Sequence, residues 1–80
     1  MKIFNAGQQI DVPGQILYDF ASSTVMYVGE SLPGTSQADS AWQIKRITFD
    51  AGTGNPTKTE WANNGSHVSI WNNRASLIYS

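Results

Sequence analysis

Eighty residues with five Lys or Arg, six Asp or Glu and a net charge of −1 read as one small domain, without the basic field that nucleic-acid phosphates or an anionic membrane require. Cysteine is absent, which excludes disulfides and thiolate metal sites, and the single histidine, His67, cannot make a zinc site alone. No apolar run approaches the ~20 residues that span a bilayer, and the opening MKIFNAGQQI lacks the apolar core of a signal peptide, so the chain is expected to be made and folded in a cytoplasm.

A chain this short buries only roughly 60% of the surface its unfolded form exposes. Without disulfides or a metal, the expected extra support is self-association or docking onto something larger. Three Trp, three Tyr and three Phe can build a compact core, since each buries ~150–250 Å². Only 14% of residues are charged, and the rest of the surface is neutral and polar.

Residues 1–14 read as an N-terminal arm or edge segment. Ile10 and Val12 alternate with Gln9 and Asp11, and Pro13-Gly14 is a turn signal. Residues 15–80 then form a single β domain. Gln15 to Phe20 places Ile16, Tyr18 and Phe20 on one strand face, with Leu17 interrupting the polar face. Thr24 to Val28 is β-branched and aromatic, which predicts a strand buried on both faces and a hairpin with the preceding run. Ser31 to Ser40 is the main loop, with a Leu32-Pro33-Gly34 turn; it reads either as a contact element or as a crossover.

Ala41 to Asp50, AWQIKRITFD, is the longest strand-like run. Trp42 and Ile44 share one face by alternation, whereas Ile47 and Phe49 have the opposite parity. A strand with one buried face needs an inserted residue to do this, which predicts a β-bulge at Lys45-Arg46. The alternative is partial cover on both faces, with Lys45 and Arg46 at a sheet edge. Thr57 to Ala62, His67 to Trp71 and Ala75 to Ser80 follow as short strands. They are separated by the Asn63-Asn64-Gly65 and Asn72-Asn73 turns. Ser80 is expected to be tied into the sheet. The sum is all-β: a small antiparallel β-sandwich or barrel of six to seven short strands, Ig-like in kind.

Chemistry-bearing patterns are sparse. His67 and Ser69 share a strand face, but a lone pair of this kind is usually solvated or packed, so no catalytic residue is assigned. Asp50 to Asn55 has oxygen ligands near glycines without the spacing of a calcium loop. Trp61, Trp71 and Asn72 lie around the Asn-rich turns. They can be read as a carbohydrate-stacking platform or as core. Arg74 is placed to stack on Trp71.

Two stretches carry a resemblance. Tyr27-Val28-Gly29-Glu30, Pro33-Gly34-Thr35 and Ala41 to Ile47 form the first; Glu60 to Asn63 and Ile70 to Leu77, with Tyr79-Ser80, form the second. From about Ser22 to Ser80 the chain resembles small virion-associated structural proteins of tailed bacteriophages. In those proteins the segment after Ala62 tends to be more acidic than the Asn63-Asn64-Gly65-Ser66 found here. The resemblance implies a non-enzymatic virion component that binds other virion proteins in many copies, as a capsid decoration or as a neck, tail or fibre-associated subunit. It implies a virion location; with the small size and the lack of a signal peptide, the expectation is a homo-oligomer made in a bacterial cytoplasm, with other phage proteins as partners and no cofactor. Lys45, Arg46, Leu32 and Thr35 are the candidate contact residues. The alternative is a glycan-binding module on the virion surface that uses Trp61, Trp71 and Asn72.

Overall fold

The computed structural model describes residues 2–5, 8–11 and 14–80, with side chains from Gly14 onward. The architecture is all-β and antiparallel, as expected. Strands β1 (Lys2–Asn5) and β2 (Gln8–Asp11) form a two-stranded antiparallel sheet within the stretch expected as an arm or edge segment. Val12 and Pro13 of the expected arm and turn lie outside the described residues. The main sheet contains β3 (Gln15–Ser22), β4 (Val25–Ser31), β5 (Ser40–Phe49) and β6 (Pro56–Trp61) in sequence order. The short strand β7 (Ser69–Ile70) joins the N-terminal end of β5.

Alternation sets two faces on this sheet. The register places Gly29 beside Ile44 and Leu17, and Tyr27 beside Arg46 and Asp19. Trp42 and Ile44 therefore share a face with the odd-numbered residues of β3 and β4. Both are fully buried, at 0% exposure. Their cover is the C-terminal segment, which turns through a 3₁₀ stretch over Trp71–Ser76 and continues to Ser80. Trp71 packs on Trp42 with ring centroids 6.1 Å apart, and Tyr79 packs on Tyr27 at 5.7 Å. The second layer on the core is thus a folded-back segment. An Ig-like pairing of two packed sheets is not found among the described residues.

Polar bonds fix this cover at its rim. Arg74 Nε donates to Asp19 Oδ2 at 2.9 Å, and its guanidinium lies 4.6 Å over the Trp71 ring. The Tyr79 hydroxyl donates to the Arg74 carbonyl at 2.7 Å. Ser80 and Trp61 exchange both backbone bonds, at 2.9 and 3.1 Å, so Ser80 is tied to β6 as the sequence suggested. The expected strand over Ala75 to Ser80 reduces to one bridge, Ala62 with Tyr79. The expected strand over His67 to Trp71 reduces to Ser69–Ile70.

The β-bulge expected at Lys45-Arg46 is absent. β4 and β5 pair in one unbroken register from Val25–Thr48 to Glu30–Gln43. Irregularities fall at the ends of β5, between Ser40 and Trp42 toward β7 and between Thr48 and Phe49 toward β6. Nor does the run lie at an edge, because β5 sits between β4 and β6. The parity switch has another cause: β5 carries apolar residues on both faces, Trp42 and Ile44 on one and Ile47 on the other.

The Asn-rich turn behaves as its composition predicts. Asn63, Asn64 and Gly65 have φ values of 51°, 54° and 81°. Asn and Gly are the residues that enter this left-handed region most readily. The turn does not close a hairpin, because β6 and β7 both pair with β5.

One position is decisive for the cover. A Cβ at Gly29 would stand 2.5 Å from Trp71 Cε3 and 2.7 Å from Cζ3. Gly29→Ala is therefore expected to destabilise the fold by about 1–3 kcal/mol through overpacking, read as a lower urea midpoint. An unchanged midpoint would remove Trp71 from this contact. The phenol of Tyr79 is pushed up from 10.0 to about 12, chiefly by burial. Its folded value lies above its unfolded value, so this contribution to stability is complete below about pH 10 and declines as pH rises toward 12. Tyr79→Phe is expected to reduce that alkaline loss in denaturation curves taken across this range.

Candidate interaction surface

The other face of the sheet is covered only in part among the described residues: the Asn63–Gly65 turn lies against Gln43 and Trp61, and Val28 is buried, whereas the β3 side is open. Ile16, Tyr18 and Phe20 of β3 lie beside Glu30, Val28 and Met26 of β4. These in turn lie beside Gln43, Lys45 and Ile47 of β5, and Lys45 pairs with Trp61 of β6. The result is a groove of about 210 Å³ with an apolar floor and a few polar groups. Tyr18 is 66% and Phe20 67% exposed, and Ile16 is 46% exposed. Phe20 leans on Phe49 with ring centroids 5.8 Å apart.

This reverses the simplest reading of β3. Its more apolar face, Ile16, Tyr18 and Phe20, points to solvent, while Leu17 packs against the core. The signal in the sequence was Leu17 itself: a strand with apolar residues on both faces needs cover on both.

Three polar side chains sit in the groove. Gln43 Nε2 donates to the Gly65 carbonyl at 2.6 Å, which ties the left-handed turn to the sheet. Lys45 Nζ lies 5.4 Å from the centroid of Trp61. Glu30 faces Gln43 across the β4–β5 ladder.

The contact residues expected from the sequence are dispersed. Lys45 lies in the open groove, whereas its chain neighbour Arg46 points to the covered face. There Arg46 Nη2 donates to Glu60 Oε1 at 2.8 Å, and its guanidinium lies 4.8 Å over Tyr79. Leu32 and Thr35 belong to a separate hollow with Ser31, Ala41 and His67. In that loop the Thr35 hydroxyl donates to the Leu32 carbonyl at 2.8 Å, and Trp42 Nε1 donates to the Ser36 carbonyl at 2.9 Å. The loop is therefore pinned to the core through an indole.

The glycan platform is not assembled. Trp61 belongs to the open face, and Trp71 is buried on the opposite side of the sheet at 4% exposure. Asn72 is exposed beyond it. Gly29 admits the Trp71 ring to the core, so only one of the two Trp faces is available to a ligand. His67 and Ser69 do not converge either. His67 is exposed, while buried Ser69 accepts a bond from Asn63 Nδ2 at 2.7 Å. Asp50 Oδ2 accepts from Thr53 N and Oγ1, at 3.0 and 2.9 Å, and so closes its own turn. Among the described residues no three His, Cys, Asp or Glu side chains gather.

No protein-family model, curated protein or solved structure matches the chain.

The Arg46 guanidinium holds the Glu60 carboxyl below its ordinary 4.5, with Lys58 adding to the effect from 3.5 Å. A depressed folded value means that the stabilisation is present above about pH 4.5 and is lost as pH falls through the folded value. Glu60→Gln is expected to flatten the acid limb of a stability profile, followed by urea melts at successive pH values. An acid limb unchanged by the substitution would show that the pair is not coupled to folding.

Proposed function

We propose that this protein is a non-enzymatic structural subunit of a tailed-bacteriophage virion, and that it docks other protein chains through the open face of its sheet. The observation that carries the docking reading is that face itself. One side of the sheet is sealed by the C-terminal segment, while the other presents Tyr18 and Phe20 at 66% and 67% exposure beside Met26 and Ile47. Monomeric soluble domains rarely leave a contiguous apolar face open, and those that do commonly use it for binding. The virion assignment rests on the resemblance of residues 22–80 to small structural proteins of tailed phages. A capsid decoration and a neck, tail or fibre-associated subunit both agree with a face of this kind. No convergence of polar groups in the groove favours glycan binding as a second reading.

Quantitative mass spectrometry of purified particles of the phage that encodes the chain tests this. The protein is expected in the particle at a fixed copy number, and Tyr18→Asp is expected to lower that number while the purified variant stays folded. Absence of the wild-type chain from the particle would overturn the virion assignment. Full incorporation of Tyr18→Asp would overturn the role of the open face.

A further inference from the structure

The charges on the open face suggest what covers it. Its floor is apolar, but one acid and one base stand on it: Glu30 on β4 and Lys45 on β5. The register puts Glu30 opposite Gln43, and Lys45 opposite Val28, so the two charges are offset by two residues on adjacent strands. Among the described residues neither forms an ion pair, whereas Asp19, Arg46, Lys58, Glu60 and Arg74 all do. We propose that the open face is a homodimer interface, in which two copies close sheet on sheet about a two-fold axis and Glu30 of each copy pairs with Lys45 of the other. This rests on the docking reading above and names the partner as a second copy of the chain.

Symmetry is the core of the argument. A half-turn about a line midway between Glu30 and Lys45 exchanges their positions. Each acid then meets a base, and the face is complementary to itself. A foreign partner would have to supply a matching base and acid at the same offset. A second copy supplies them automatically. The apolar floor gives the rest of the attraction, because Tyr18, Phe20 and Ile16 leave water together with their symmetry mates. Aromatic side chains of this sort are the usual anchors of protein interfaces.

The size agrees. Four strands about 4.8 Å apart and about seven residues long, at about 3.4 Å each, give a face of roughly 450 Å² in projection. The accessible area of a ridged face exceeds its projection. Two such faces therefore approach the total of about 1,200 Å² at the low end of specific interfaces. Sheets packed this way stand about 10 Å apart, a gap that opposed Lys and Glu side chains can bridge. Closing it would give the main sheet a second sheet layer on this face, which the described residues do not supply.

Charge reversal provides the test. Sedimentation of the full chain is expected to give twice the 8.8 kDa protomer mass. Lys45→Glu or Glu30→Lys alone places like charges together and is expected to weaken the dimer at least about tenfold. The double variant is expected to recover it. A mixture of the two single variants is expected to form heterodimers where neither dimerises alone, since both cross pairs are then favourable. Tyr18→Asp is expected to give a folded monomer by circular dichroism. A wild-type chain that stays at 8.8 kDa at every concentration overturns the proposal, including the case where its own N-terminal hairpin occupies the face. So does a dimer indifferent to both single reversals. A monomeric wild type whose entry into particles is still abolished by Tyr18→Asp overturns the dimer and leaves the docking reading standing. A charge-dependent dimer that is absent from particles overturns the virion assignment and leaves the dimer standing.

Discussion

The fold depends on one close approach, the indole of Trp71 lying against the bare backbone of β4 at Gly29. Gly29 is there for its missing Cβ, since any side chain at that point would occupy the space of the Trp71 ring. With the ring in place, Trp71 reaches Trp42 and closes the buried face over Ile44. The 3₁₀ turn that follows puts Arg74 over that ring and beside Asp19. From there the chain reaches back to β6, so Tyr79 covers Tyr27 and Ser80 bonds to Trp61.

A segment of about ten residues can cover only one side of a four-stranded sheet. This chain has apolar residues on both. The outcome is an asymmetric domain: a small, well-sealed core containing Trp42, Ile44 and Ala62, and an opposite face on which Tyr18 and Phe20 remain in water. Hydrophobic burial is the main favourable term in folding, and leaving Ile16, Tyr18 and Phe20 largely exposed narrows an already narrow margin. Anything that binds the open face of the folded chain adds its binding free energy to stability by mass action. A partner that bound this face would therefore couple its association to folding through ordinary apolar area.

Much of the β layout was legible in the sequence. Alternation located β3, β5 and β6; β-branched and aromatic composition located β4, which runs through Gly29 to Ser31 instead of ending at Gly29; and the Asn-Gly turn forecast its left-handed backbone at Asn63, Asn64 and Gly65. What was not legible was the choice of face. Locally, Ile16, Tyr18 and Phe20 outweigh Gln15, Leu17 and Asp19 as a buried set. The decision lies elsewhere, at Gly29 and Trp42, which receive Trp71 on the Leu17 side. The same non-local fact defeats the bulge at Lys45-Arg46. Opposite parities at Ile44 and Ile47 do not need an inserted residue when both faces carry apolar surface. It also separates Trp61 from Trp71, which sequence proximity to one turn had grouped together.

The distribution of charge follows the same asymmetry. On the covered face, charges at the rim are matched within the chain: Asp19 with Arg74, and Glu60 with Arg46 and Lys58. These pairs stand where the chain supplies its own cover, and they stay partly solvated, so each contributes modestly to stability. Their use lies more in fixing where the C-terminal segment lands. On the open face Glu30 and Lys45 have no such matching among the described residues. An unpaired charge on an apolar floor is tolerable while water reaches it and costly once the floor is closed. A partner that closed this face without an opposite charge at either position would carry that cost. That cost selects partners far more sharply than the apolar surface does, because the apolar surface would accept almost any flat hydrophobic neighbour.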